Sequence, residues 1–181
     1  MIVKCISLFT IFPTLSFMSF SFAVTNGSKP LGVGDSIPIF SFKDQNAKTF
    51  NIADYIGKKV LVVYFYPRDE SMVCTKEACA FRDSSDDFIQ SGALIIGIND
   101  GSVASHKAFE THYKLPFILL SDPGNKVYNQ FGIKNKLFMT GRKTFVIDLK
   151  GKIVYTHEAM LAGQEHAEDA LKYIKQSMHK K

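Results

Sequence analysis

The apolar run from Val60 to Tyr66, stopped by Pro67, constrains this chain more than any other segment. It has no polar alternation, so it reads as a strand buried on both faces, of the kind found at the centre of a parallel or mixed sheet. Ala93 to Ile98 has the same character and reads as a second buried strand. The residues between them predict a helix from about Val73 to Gln90. There Cys74, Ala78, Phe81, Ser85 and Phe88 recur at steps of three and four and share a face. Lys76, Arg82, Asp83, Asp86 and Asp87 occupy the opposite side, and Ser91-Gly92 stops the helix.

The remaining elements follow the same alternation. Ile37 to Phe42 and Lys48 to Ile52 flank a turn at Asp44 to Ala47 and resemble a hairpin. Ser102 to Tyr113 reads as a helix and Pro116 to Leu120 as an extended piece. Asp122-Pro-Gly is a turn, and Asn125 to Phe131 is a short helix ended by Gly132. Lys143 to Asp148 and Lys152 to Thr156 form a second hairpin. The last helix spans about Gln164 to Met178, with Ala167, Ala170, Leu171, Ile174 and Met178 as its buried stripe. Strands alternating with helices and closed by a hairpin and a helix define an α/β layered domain. That order is compatible with a thioredoxin-like fold, a central mixed sheet flanked by helices.

The 181 residues suit one domain. Met1 to Ala23 reads as a removable leader: Lys4, an apolar Phe-rich stretch, and a small-x-small Ser21-Phe22-Ala23 site. Retention as a membrane anchor is the competing reading, weakened by Pro13 and several hydroxyls. Val24 to Ser36 is expected as a flexible lead-in and residues 37–179 as the domain. The location expected for such a chain is outside the cytoplasm, in a bacterial periplasm, with no stable membrane association after cleavage. The net charge of +5 is modest and scattered, which argues against a nucleic-acid track.

Three cysteines are present, and Cys5 lies in the leader. That leaves Cys74 and Cys79, which in an oxidising compartment form either a structural bridge or a redox couple. Cys74 falls in the first turn of the predicted helix. Backbone N–H groups there lack helical partners and carry positive partial charge, both of which favour a thiolate. Such a thiolate is nucleophilic, and the same donors can stabilise charge on a leaving oxygen. Ser71 stands where it could cap the helix or offer a hydroxyl to the site. Residues five apart on a helix are rotated by about 140° and separated by roughly 8–9 Å between Cα atoms. A disulfide needs less than about 7 Å. Cys74 and Cys79 can therefore join only if a turn unwinds, which suits a cycling pair better than a permanent staple.

The segment Pro67-x-x-x-Ser71-x-x-Cys74-x-x-Glu77 resembles the active-site pattern of the peroxiredoxin superfamily. Phe81-Arg82-Asp83 and the second cysteine five residues after the first resemble its bacterioferritin comigratory protein (peroxiredoxin Q) branch. The likeness continues through Pro116 to Pro123 and through Gly141-Arg142 to Asp148. It implies that Cys74 is the peroxidatic cysteine and Cys79 the resolving one. It implies that Arg142 orients the peroxide and holds the thiolate, that Ser71 relays a hydrogen bond, that Pro67 shields the sulfur, and that Glu77 sets the arginine's geometry. The implied cycle needs no metal, haem or flavin. Its partners are a peroxide and a thioredoxin-like or other dithiol reductant, and the implied state is a monomer. Ser71-Met72-Val73 departs from the family's common Thr-Pro-Gly.

Two rival readings have different chemistry. A thioredoxin-type disulfide oxidoreductase would use the same cysteines, although the usual C-x-x-C is absent. An exported Sco-like copper carrier would use both cysteines with His157. The histidines are scattered and otherwise read as surface or packing residues.

Overall fold

A computed structural model describes residues 29–135 and 140–178. The leader expected over Met1 to Ala23 lies outside the described residues. Seven strands form one mixed sheet: β1 (Ser41–Asp44), β2 (Thr49–Asn51), β3 (Val60–Phe65), β4 (Ala93–Asn99), β5 (Ile118–Ser121), β6 (Lys143–Ile147) and β7 (Ile153–His157). Their order across the sheet is β2-β1-β5-β4-β3-β6-β7. The helices are α1 (Met72–Asp83), α2 (Ser85–Gln90), α3 (Val103–Tyr113), α4 (Lys126–Gln130) and α5 (Gly163–Met178).

β3 is central, as its unbroken apolar run requires. It pairs parallel with β4 and antiparallel with β6. Leu61, Val63 and Phe65 enter a core with Phe131, Phe145 and Ile153. Val62, Tyr64 and Tyr66 enter a second core on the other face, with Cys74 and Phe81 of α1, Phe88 of α2, Phe109 of α3 and Ala170 of α5. The parallel β3–β4 pair, joined by α1 and α2, places the C-terminal ends of both strands at one edge. That edge is where α/β folds place their chemistry.

Three details differ from the sequence expectation. The helix expected from Val73 to Gln90 is broken at Ser84, whose backbone (φ −101°, ψ 6°) leaves the helical region. The buried face continues through Phe81 and Phe88, so the periodicity hides the break. Met178 is 53% exposed rather than buried, because the last turn of α5 has run past the core that holds Ile174. The stretch expected as a loose lead-in is tied down from Leu31 onward. Leu31 N–H donates to Phe131 O, Gly34 N–H to Ile153 O, and Ser36 bridges Lys152.

Gln45, in the β1–β2 turn, is buried and plugs the end of β5. Its amide nitrogen donates to Phe117 O (2.8 Å), and its oxygen accepts from Leu119 N–H (2.9 Å). Among the described residues no helix is long and apolar enough to cross a membrane.

Gly97 of β4 lies beside Tyr64 of β3 with no room for a side chain. A Cβ there would sit 2.6 Å from the Tyr64 ring and 2.8 Å from Leu119. Gly97→Ala is expected to lower stability by about 1–3 kcal/mol through overpacking. Urea unfolding should show a lower midpoint with an unchanged slope.

Candidate active site

Pro67 ends β3, and the next four residues turn the chain into α1. Asp69 holds that turn in place. Its Oδ1 accepts from Tyr66 O–H (2.7 Å) and Asn99 Nδ2–H (3.1 Å), and its Oδ2 from Ser105 O–H (2.6 Å) and His106 Nδ1–H (2.9 Å). Burial alone would raise the Asp69 carboxyl, but the His106 hydrogen bond and charge, with Ser105 and Tyr66, hold it below its ordinary value. One carboxylate thus joins the ends of β3 and β4 to α3.

Ser71 is the residue before the first turn of α1, with extended backbone (φ −77°, ψ 144°). Its carbonyl accepts from Thr75 N–H (2.8 Å). Its hydroxyl donates to Arg68 O (3.2 Å) and makes no capping bond, which corrects the capping half of the sequence expectation. The first turn of α1 therefore keeps N–H groups without a side-chain cap.

Cys74 sits in that turn and is 1% exposed. Arg142, at the entry to β6, places Nη2 3.1 Å from Cys74 Sγ. The same guanidinium bonds Glu77 Oε2 through Nη1, and its Nε donates to Met160 O (3.2 Å). Cys74 and Glu77 are three apart on α1, so both face one partner. The antiparallel register of β6 on β3, with Phe65 opposite Lys143, puts Arg142 level with the start of the turn. Burial opposes the arginine's charge, but Glu77 and Cys74 more than offset it and raise its affinity for its proton. Burial also pushes the Glu77 carboxyl up to about 8, against the partial offset of Arg142.

A cavity of about 420 Å³ opens over the sulfur, lined by Pro67, Ser71, Cys74, Arg142, Met72 and Leu161 among others. Met72 (76%) and Leu161 (77%) stand exposed at its rim. A larger cavity of about 990 Å³ lies around Pro30, Pro38 and Gly132, away from the cysteines. Cys79 lies on the same helix as Cys74, half-buried, and both thiols are free. The structure thus brings together Pro67, Ser71, Cys74, Glu77 and Arg142, and leaves Cys79 five residues further along α1, rotated by about 140° from Cys74.

His157 does not join this group. It pairs with Asp169 (Nδ1–Oδ2 3.1 Å). Among the described residues no group of three or more His, Cys, Asp or Glu side chains is placed to hold a metal ion.

Two residues behind the site, Thr144 and His166, were missed by sequence reasoning. His166 of α5 is fully buried, with Nδ1 2.8 Å from Thr144 Oγ1 and Nε2 donating to Ala159 O (2.9 Å). Burial lowers its ring to about 4. A signal existed: His166 shares the buried spacing of Ala170 and Ile174, so it is a polar group on an apolar stripe.

Comparison with known proteins agrees with this geometry. The AhpC/TSA family matches residues 33–156. A chloroplastic peroxiredoxin Q of Triticum aestivum is 46% identical over 153 residues, covering 83% of this chain and 67% of that one. A solved peroxiredoxin Q mutant from Xylella fastidiosa superposes with a TM-score of 0.76 at 26% identity, over 83% of this chain and 99% of the other. A bacterioferritin comigratory protein of Xanthomonas campestris, described for alkyl peroxide reduction, gives 0.71 at 26% identity over 79% and 99%. Fold, site and matches define the class, a thiol-dependent peroxidase on a thioredoxin-like scaffold. The chain belongs to the AhpC/TSA family and, within it, to the peroxiredoxin Q group.

The two buried groups set opposing pH dependences. The unfolded chain loses the Glu77 proton near 4.5 while the folded chain keeps it to about 8, so stability falls as pH rises through that range. The unfolded chain protonates His166 near 6.5 while the folded ring refuses the proton down to about 4, so stability falls as pH drops through that range. The two slopes offset below 6.5, and of these two groups only Glu77 contributes between 6.5 and 8. Urea midpoints should therefore decline across that upper window, and Glu77→Gln should remove the decline. A wild-type decline retained in full by the variant would contradict the assignment.

Proposed function

We propose that Cys74 reduces hydrogen peroxide and organic hydroperoxides and is recycled through a disulfide with Cys79. The observation that carries this reading is the Arg142 Nη2 contact with Cys74 Sγ at 3.1 Å, made at the first turn of α1 beneath an open cavity. The thiolate sulfur attacks the terminal peroxide oxygen, the O–O bond breaks, and the departing alkoxide or hydroxide takes up a proton. The sulfur is left as a sulfenic acid. Attack by the Cys79 thiolate expels water, after proton uptake, and forms the disulfide. An external dithiol of thioredoxin type then returns both thiols.

Each neighbour has a role in this scheme. Arg142 holds the thiolate and orients the peroxide, and its positive charge faces the oxygen on which charge develops. Glu77 fixes the guanidinium. Pro67 walls the pocket against water, and Ser71 supplies a hydroxyl at its edge. Joining the two sulfurs requires the first turns of α1 to open, because both are held in one regular helix. The working form is a monomer, and the leader directs it out of the cytoplasm to a bacterial periplasm. That location leaves the reductant to a dithiol protein of the same compartment.

Cys74→Ser is expected to abolish peroxide consumption. Cys79→Ser should consume about one equivalent of peroxide per chain in a rapid first turnover and then stall with a dithiol reductant. Stopped-flow peroxide assays and mass measurement of the oxidised chain check both. Undiminished turnover in Cys74→Ser would remove the nucleophile from this reading.

A further inference from the structure

The two oxygens of Glu77 have different surroundings. Oε2 accepts from Arg142. Oε1 is buried, meets no donor among the described residues, and lies 3.6 Å from His166 Nδ1. The tautomer of His166 follows from its other side. Nε2 is 2.9 Å from Ala159 O, and a carbonyl oxygen only accepts, so Nε2 carries the hydrogen. The ring stays neutral over the functional pH range, which leaves Nδ1 a bare acceptor. The Thr144 hydroxyl donates to it at 2.8 Å, and as a rotor it can yield the lone pair.

A bare nitrogen facing an ionised carboxylate sets two acceptors against each other in a site without water contact. A proton on Oε1 turns that contact into a hydrogen bond after a small closing rotation. The charged or titratable groups facing this pair are Arg142, Cys74 and Tyr64 on the Glu77 side, with His157 and Glu158 beside His166. The backbone supports the same approach. Gly163, which opens α5, is so close to α1 that a Cβ would lie 3.1 Å from Glu77 Cβ and 2.6 Å from Val73 O.

We propose that His166 is a positioning residue of the peroxide site. Its bare Nδ1 favours the protonated form of Glu77, so the carboxyl binds Arg142 as a neutral acceptor and leaves the guanidinium charge directed at Cys74. This rests on the reading of Cys74 as the nucleophile. It adds that the glutamate works as an acid held neutral rather than as a counter-charge.

The test follows the Glu77 carboxyl directly, by ¹³C NMR of the full chain labelled at glutamate, with Glu77→Gln used to assign the resonance. In the wild type this carboxyl should titrate near 8. His166→Gln replaces the acceptor with an amide that can donate to Oε1. It should lower the titration by about one unit or more, roughly tenfold in the acid-to-carboxylate ratio, and slow the first peroxide turnover at neutral pH about tenfold. Thr144→Val, nearly isosteric, frees the lone pair for the carboxyl and should move the titration the other way. Opposite shifts in the two variants would not arise from lost packing. Titration of wild-type Glu77 in the ordinary carboxylate range, or no movement in either variant, overturns the proposal. Loss of the nucleophile assignment would show separately, as peroxide consumption surviving Cys74→Ser.

Discussion

A guanidinium buried in the protein must be met on every side, or its charge costs several kcal/mol. Arg142 is 2% exposed and is met by a thiol, a carboxyl and a main-chain carbonyl. Two of those partners stand on successive turns of one helix, and the third belongs to the segment between β7 and α5. The requirement explains much of the architecture around it. β6 must run antiparallel beside β3, the chain must leave β3 straight into α1, and α5 must lie closely over α1.

The parts of this arrangement that are local in sequence were legible there. The run from Val60 to Tyr66 forms the central strand, and the residues after Pro67 place Cys74 in a first helical turn, as periodicity and composition require. Arg142 was reachable through resemblance to a family, since an arginine before a strand carries no signal of its own. The break at Ser84 was hidden because the apolar face continues across it. The exposure of Met178 was hidden because helical period does not tell where the underlying sheet ends.

The placement of Thr144 and His166 behind Glu77 was illegible for a different reason. Glu77, Thr144 and His166 come from three elements and meet only through sheet register and the packing of α5 on α1. Asp69 likewise draws its partners from the residue after β3, from β4 and from α3, across 37 residues of chain to His106. Buried polar convergence of this kind depends on distances that spacing in sequence does not encode. A histidine on an apolar stripe marks that such a partner exists without saying which one.

The interruption at Ser84 has a mechanical consequence. Helical order is cooperative within a continuous hydrogen-bonded segment, and a bend between two segments uncouples them. α1 carries both sulfurs, while α2 anchors Phe88 under the sheet. Upstream, the carboxylate of Asp69 clamps the strand exit. An opening confined to the first turns of α1 would thus be bounded upstream by the Asp69 clamp and downstream by the break at Ser84, with Phe81 and Phe88 still seated under the sheet.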